Sequence, residues 1–497
     1  MLFVSIPLVA QTRSVTGVVT SSADGLPVPG AVVTIEGDNT RYAITDIDGN
    51  YILENVESGE VLVFTMMGYT TQSVTITNQT VVNVILDEES TMLEEAVVIG
   101  YGTVKKKDLT GSVSSVNSEK LKGTVSINVD QMLQGKVAGV QITSNSGAPG
   151  SASSIRVRGT SSINNSNEPL YIIDGVPFSS AGSEIGGFDW AGGTNGQTTV
   201  NPLSAIAPSD IESIDILKDA SATAIYGANG ANGVIIITTK RGRAGRINIT
   251  YDGYVTAQTI TNKLPMMNLR EYAEYQIGLC EDLNLNVAEE FKDPTLLGAG
   301  TDWQDEIFRT AWMHSHSVSV TGGTEKLKVA ASGGYTDQDG VIIGSSFTRF
   351  NARLNVDAEI LPWLKAGASL AFTHTDEVIT NNDGTDGVVL QALTMQPNVP
   401  VYDFDGNWAG PTTVNGASMW NPVWLAQMKS NDFKRNRSNG SFYLSLDPLE
   451  GLNIRTEYGF DYSDNNNRCF IPTYSFGLIS SNTNQIMQRD DHSLYWI

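Results

Sequence analysis

Basic residues are scarce in this sequence: 31 Lys and Arg stand against 54 Asp and Glu, a formal net charge of -23. Holding nucleic-acid phosphates requires a basic patch, so no nucleic acid is expected as a partner. The acidity alone names no partner, because a solvated surface has the same composition. Cysteine is rarer still, with only Cys280 and Cys469, far apart in the chain. They form no CxxC and have no His pair nearby, which argues against a zinc site; a disulfide between them stays open. No apolar run reaches the roughly 18 residues that a membrane-crossing helix needs. Only helices and closed barrels satisfy their backbone in lipid, so the chain either is secreted or meets a membrane through strands.

Glycine is abundant, 48 of 497 residues, beside 40% hydrophobic residues. That balance suits a β-rich chain with many turns, and a chain of this length divides into about three domains. In MLFVSIPLVAQTRS a short apolar run, Leu2 to Ala10, ends on a small residue before Gln11. It resembles the core and cleavage site of a secretion signal without its basic start, so 1–11 is expected to be a signal-peptide remnant. The alternative is a buried strand.

Residues 14–87 contain SVTGVVT, AVVTIEG, RYAITD, NYILEN, EVLVFTMM, QSVTIT and VVNVIL. Short strands with a turn every few residues predict a small antiparallel sandwich. Asp48-Gly49 predicts a tight hairpin turn. The string Asp46-Ile47-Asp48-Gly49-Asn50 resembles part of a calcium loop, but lacks the distal Glu and reads as a plain turn. Residues 88–104 are expected to form a linker, where the acidic stretch DEESTMLEE (Asp87 to Glu95) gives way to AVVIGYG. Glu95, Ala96, Val97, Val98 and Ile99 make a β-prone segment with no obvious mate in the chain. It suits either an ordinary core strand or addition to the edge of another protein's sheet.

Residues 105–245 alternate in character. Val129, Met132, Leu133 and Val137 share one helical face, with Gly135 weakening the end. GVQIT, SIRVRG, PLYIIDG, IESIDILKD and NGVIIITTK read as strands, and Asp219 is placed to cap a short helix through Ser221 to Tyr226. The Gly/Ser/Thr/Asn-rich stretch from Phe178 to Asn201 is long for a loop and carries Phe188 and Trp190, either ligand-facing rings or loop anchors. Arg156 and Arg158 fall on one face of a strand, available to acids such as Asp357 or Glu359 or to solvent.

From 246 to 497 the pattern is strict alternation. Phe350, Ala352, Leu354, Val356, Ala358 and Ile360 oppose Asn351, Arg353, Asn355, Asp357 and Glu359. Leu452, Ile454, Tyr458, Phe460 and Tyr462 oppose Asn453, Arg455, Glu457 and Asp461. Alternation over about 10 residues is enough to cross a bilayer as a tilted strand. Turns at Leu361-Pro362-Trp363 and Asp447 to Gly451 are tight, whereas Asp376 to Ser438 reads as a long polar loop. The pattern predicts an antiparallel transmembrane barrel, with a soluble sandwich as the alternative.

Three strings, QMLQGKVAGVQIT, SIRVRGTSSINNSNEPLYIIDGVP and DIESIDILKDASATAIYGANGANGVIIITTKRG, resemble the plug signatures of SusC/RagA-type TonB-linked outer-membrane transporters. Thr16 to Leu86 resembles the carboxypeptidase-regulatory-like domain that precedes the plug there, and LEEAVVIGYG resembles the TonB box. The resemblance implies a mainly β chain: a regulatory-like β-sandwich, an α+β plug, then the first strands of a barrel. It carries the plug motif onto Arg156, Arg158, Gly159, Asp174, Gly175, Asp219, Tyr226, Gly227, Gly230 and Gly233. It implies import of a glycan or peptide, with TonB and its energising complex, a SusD-like lipoprotein and outer-membrane lipid as partners, the sandwich in the periplasm, and no cofactor. Asn229 departs from the Arg often found in the family. Family members are about twice as long with 22-stranded barrels, so roughly eight candidate strands imply a fragment.

An enzyme is disfavoured. Gly227 to Gly233 is spaced GxxGxxG and precedes a strand, unlike a dinucleotide loop. His314 and His316 alternate on a strand with no Cys nearby, and no Ser/His/Asp arrangement stands out. A surface adhesin explains the sandwich but needs no plug or TonB box. A TonB-linked signalling receptor needs a further N-terminal module.

Overall fold

The computed structural model describes residues 13–22, 25–66, 69–87, 96–99, 102–105, 113–118, 128–144, 146–151, 153–160, 167–178, 184–186, 198–200, 202–380, 387–412, 420–449 and 451–497. The expected signal remnant, 1–11, lies outside them. The chain forms two compact units, Met1–Val97 with Val104–Lys107, and Val98–Thr103 with Asp108–Ile497.

In the first unit, Arg13–Ser21 (β1), Val32–Ile35 (β2), Asp38–Ile44 (β3), Asn50–Val56 (β4), Val61–Thr65 (β5), Gln72–Thr75 (β6) and Val84–Leu86 (β7) make two sheets, β4-β1-β7 and β3-β2-β5-β6. Alternation turns Val15 and Val19 of β1, Leu53 of β4, Val33 of β2, and Leu62 and Phe64 of β5 into one shared core. The sandwich is not wholly antiparallel, because β7 runs parallel to β1. The Asp46 carboxylate accepts from the backbone N–H of Asp48 and Asn50, and Gly49 sits at φ 74°, the plain turn expected.

Tyr51 is buried edge-on to Phe64 and donates to the Val82 carbonyl at 2.9 Å. Burial pushes its phenol up to about 12 from the usual 10.0. The folded state therefore holds this proton longer than the unfolded chain. Its contribution to stability is complete below pH 10.0 and is lost as pH rises toward about 12. Tyr51→Phe is expected to flatten that alkaline decline in denaturation midpoints; an unchanged slope would show that another group titrates.

Ala96–Ile99 (β8) does have a mate, pairing with Gly102–Lys105 (β9) in a two-stranded sheet. This corrects the expectation of an unpartnered strand. Then follow Val113–Asn117 (β10), Val140–Ser144 (β11), Ser153–Val157 (β12), Leu170–Ile173 (β13), Val176–Phe178 (β14), Glu184–Gly186 (β15), Thr198–Val200 (β16), Ile211–Leu217 (β17) and Val234–Thr239 (β18). A five-stranded sheet runs β10-β17-β18-β13-β14, with β11–β12 and β15–β16 as separate pairs. Only β13 and β18 are parallel in it. The run VIII of β18 is buried throughout, as befits a strand with other strands on both sides and packing on both faces. The helix expected over 129–137 stops at Leu133: Gln134 turns extended, Gly135 takes φ 73°, and Val137 is buried beyond the helix.

The remaining strands are Gly245–Gln258 (β19), Ala311–Gly323 (β20), Leu327–Asp339 (β21), Ser346–Leu361 (β22), Leu364–Val378 (β23), Ser430–Leu449 (β24), Leu452–Ile471 (β25), Tyr474–Phe476 (β26), Ile479–Ser481 (β27) and Gln485–Trp496 (β28). Apart from the small β26–β27 hairpin they form one eight-stranded antiparallel sheet in sequence order, and among the described residues β19 and β28 are not paired to each other. Short turns at 324–326, 362–363 and 450–451 lie at one end, and 259–310, 340–345, 379–429 and 472–484 at the other. The long loop is narrower than expected, because β23 reaches Val378 and β24 begins at Ser430.

This sheet is inside-out relative to a water-soluble sandwich. On β22, Phe350 is 48% exposed and Leu354 41%, while Arg349 is 3% exposed and Arg353 9%. The outer face is apolar near the short turns and becomes polar toward the long loops. There a ladder crosses four strands: His374 Nδ1 to Asn436 (2.8 Å), Asn436 to Asp464 (3.2 Å), and His492 Nδ1 to Asp464 (2.9 Å).

Candidate functional site: the seam between plug and wall

The inner face of the wall meets the small sheet at one of its ends, and strand register decides which residues arrive there. Ile173 lies beside Ile237 in parallel pairing, and Ile211 opposes Thr239 in antiparallel pairing. The end of β13, the start of β17 and the end of β18 therefore converge, bringing Asp174, Asp210 and Thr239 together. Asp174 (φ 47°) and Gly175 (φ 91°) form the two-residue turn between β13 and β14. Such a turn needs φ > 0 at both positions, which Asp and Gly tolerate. The Asp174 carboxylate accepts from Thr239 N (3.0 Å) and Thr239 Oγ1 (2.6 Å).

The wall completes the shell. Arg353 Nη1 donates to Asp174 at 3.2 Å, and its Nε lies 3.7 Å from Asp210. Ser369 donates to Asp174 (3.2 Å) and Asn351 to Asp210 (3.3 Å). Asn355 donates to Thr239 Oγ1 (3.1 Å) and to the Lys240 carbonyl (2.7 Å). Nearby, the 3-10 turn Pro202–Ala205 presents carbonyls with no helix to continue into. Arg349 takes those of Ser204 (2.9 Å) and Ile206 (3.3 Å), and Thr373 takes that of Ala205 (2.7 Å). Arg435 donates to Ser204 Oγ at 2.7 Å and to Glu377 at 3.4 Å. Arg437 forks onto Asp461 (2.9 and 2.6 Å) while its guanidinium lies 3.3 Å from the Phe178 ring centroid.

Charges this deep in the molecule persist only when paired, and removing one member strands the other. The seam thus joins two folded parts through geometry-dependent polar bonds and little apolar packing. It can hold the parts in register and release them as a set.

The expected plug-motif residues divide. Asp174 and Gly175 build the seam. Arg156 and Arg158 do not reach the wall: Arg156 pairs with Glu168 and Arg158 with Asp219, all in the small domain. Their shared face fails because β12 ends at Val157 and Arg158 adopts φ 58°. Asp357 instead binds Arg241 (3.1 Å) and accepts from Tyr443 (2.7 Å), and Glu359 is exposed. Asp219 sits at the start of the helix Ala220–Thr223 without a side-chain cap, and a 3-10 run, Ala224–Gly230, replaces the expected helix toward Tyr226. Tyr226 packs on Ile172, Leu217, Val234 and Ile236. Gly159 and Gly227 take φ 101° and 59°, Gly230 leaves no room for a Cβ against the Thr223 carbonyl, and Gly233 (φ 92°) abuts Val157. Glu95, Phe188 and Trp190 lie outside the described residues.

His314 faces Asp337 (3.5 Å) and His316 contacts the Tyr251 hydroxyl (2.7 Å); Cys280 and Cys469 are not joined in a disulfide. Sequence reasoning did not single out Asp210, Ser204, Arg349, Glu377, Arg435 or Arg437. The available signal was arginine at alternate inward positions, 349 and 353, then 435 and 437.

The TonB-dependent receptor plug domain pattern matches residues 105–234, and the CarboxypepD_reg-like domain matches 15–98. TonB-dependent receptor SusC of Bacteroides thetaiotaomicron is 36% identical over 502 residues, covering 96% of this chain. This chain is a homologue of the SusC-type TonB-dependent receptors. TonB-dependent receptor P3 of Formosa agariphila is similar at 35% identity over 95% of the chain. The receptor homologue spans about half the length of these curated relatives, 47% of SusC and 44% of P3. The RagAB peptide importer in its open-open state superposes with a TM-score of 0.64 at 29% identity, covering 81% of this chain and 46% of that one. The matched relatives are receptors and an importer, a class of outer-membrane β-barrel proteins. The small domain is accordingly a plug, and the eight-stranded sheet a barrel wall that is not closed here.

Proposed function

We propose that this chain supplies the coupling segment, plug and part of the wall of an outer-membrane importer that takes up glycans or peptides using force from TonB. One observation carries the reading: charged inward side chains of a wall with an apolar outer face are buried against the plug. Wall charge is tolerable in lipid only when it faces inward, and a seam of polar bonds keeps the pore shut while remaining breakable.

On this reading residues 14–87 form the periplasmic regulatory-like sandwich, 88–104 the linker with the TonB box, 105–245 the plug and 246–497 the wall. Glu95 to Ile99 are the segment TonB captures by strand addition. Phe188 and Trp190 are candidate ligand-facing rings, and a SusD-like lipoprotein covers the outer mouth. The relatives SusC and RagAB support this through their names alone, which speak of TonB-dependent reception and peptide import.

The test is TonB depletion in cells carrying the full-length protein. Uptake of fluorescein-labelled oligosaccharide and peptide pools is expected to stop while the protein stays in the outer membrane. An adhesin would instead keep its surface binding and show no TonB-dependent uptake, and the proposal would be lost.

A further inference from the structure

Above its apolar band, the outer face of the wall carries a cleft of about 630 Å³. It runs from Ser346 and Thr348 on β22, past Asp376 on β23 and Asp432 and Lys434 on β24, to Arg468 on β25. These are outward positions, since their chain neighbours Phe347, Arg349, Phe433, Arg435 and Asn467 are all buried on the inner side. The cleft therefore faces away from the lumen and from any solute inside it.

Most of the charge around the cleft is satisfied. Lys434 pairs with Asp376 at 3.2 Å, and Asp490 accepts from Asn466 and from Gln488 (3.3 Å). His374, Asn436, Asp464 and His492 bond one another in the ladder just below. Two groups are left over. Asp432 and Arg468 stand directly opposite each other on β24 and β25, where opposite charges ordinarily pair. Their side chains do not meet, and among the described residues neither makes a side-chain hydrogen bond or ion pair. The cleft thus offers a guanidinium, whose fork matches phosphate, beside a carboxylate, which accepts from hydroxyls.

Height decides which phosphate can arrive there. On β22 the last apolar outward residue is Phe350, and Thr348 stands one outward position above it. On β25 the last is Tyr462, and Arg468 stands three outward positions above it. With a rise of about 3.4 Å per residue and a strand tilt of about 40°, the cleft climbs from roughly 5 Å to roughly 15 Å above the hydrocarbon edge. The headgroup layer of a phospholipid is only about 5–8 Å thick, so it ends short of Arg468. A lipid whose headgroup is a phosphorylated oligosaccharide spans the whole climb.

We propose that this cleft seats the phosphorylated saccharide of one lipopolysaccharide molecule of the outer leaflet. Arg468 holds a sugar phosphate, Asp432 accepts from the hydroxyls beside it, and the acyl chains lie along the outward Phe350 and Leu354 of β22. The site rests on the outward face of the wall and on the long loops lying outside the cell. It involves neither TonB nor cargo, so its failure leaves the import reading untouched.

The test is native mass spectrometry of the full-length protein in detergent, titrated with rough-type lipopolysaccharide purified from the same membrane. One molecule per protein is expected. Arg468→Gln and Asp432→Asn should each weaken that binding about ten-fold or more, the loss of a hydrogen bond to a charged group. Neither side chain holds an internal bond, so melting temperatures without lipid should match the parent's. Lipopolysaccharide dephosphorylated with hydrofluoric acid should bind weakly and no longer sense Arg468→Gln. Phosphatidylethanolamine at equal concentration should not compete. Equal binding by the parent and both variants, indifference to phosphate removal, or displacement by phosphatidylethanolamine overturns the proposal. The delipidated oligosaccharide should bind at least about ten-fold more weakly, because it lacks the apolar anchor. Equal affinity for it would assign the cleft to a soluble phosphosugar and overturn the lipid assignment.

Discussion

Truncating Arg353 to alanine is expected to weaken seating of the plug by about 3–5 kcal/mol, the cost of removing one member of a buried ion pair. The guanidinium reaches two acids, Asp174 at 3.2 Å and Asp210 at 3.7 Å, and both carboxylates are buried. Without it, two negative charges face each other out of water. The measurable consequence is a leak: cells carrying the full-length variant should become sensitive to vancomycin, which an intact plug excludes. Arg353→Lys should be intermediate, since an ammonium cannot fork onto both acids. By contrast, Arg158→Ala should cost under about 1 kcal/mol, because that arginine is largely exposed beside Asp219. Vancomycin resistance equal to the parent's in the Arg353→Ala cells would show that the seam does not hold the plug.

The second large effect concerns the coupling segment. Val98→Pro is expected to cut TonB-dependent uptake to about a tenth or less, because proline removes the N–H that strand addition uses. Val98→Thr should transport normally, since the recognition is mainly backbone. On the proposed import reading, the pairing of β8 with β9 sets TonB in competition with an internal mate. Thr103→Pro breaks that mate without touching 95–99, so it should preserve or raise uptake. If Thr103→Pro abolished uptake as Val98→Pro does, the hairpin rather than capture of its first strand would be the required element.

The wall was legible because its outer face is apolar over about ten residues, the length at which alternation becomes diagnostic. The upper part of β24 was not. From Asn431 to Arg437 both faces carry polar residues, since one bonds the plug and the other stands above the apolar band, and the period of two vanishes. Asp174-Gly175 was legible because a turn with two positive φ values admits few residue pairs. Asp210 and Ser204 were hidden: nothing local distinguishes them, and their role follows from pairing across more than a hundred residues, 351 with 210 and 435 with 204. The shared strand face read for Arg156 and Arg158 failed because strand period was carried one residue past the strand's end. Partners within the same domain then satisfied both charges.

The wall strands also outrun the bilayer. β24 and β25 each contain 20 residues, about twice what a tilted crossing uses. On β25 the outward residues change from Tyr458, Phe460 and Tyr462 to Asp464, Asn466 and Arg468, so hydrocarbon ends near Tyr462. The remaining turns of pleat, tied laterally by the His374–Asn436–Asp464–His492 ladder, project clear of lipid as continuous sheet. Whatever settles on that rim meets a stiff seat rather than pliant loops. On the proposed import reading, the bending needed to admit cargo then falls to the visitor, not to the rim.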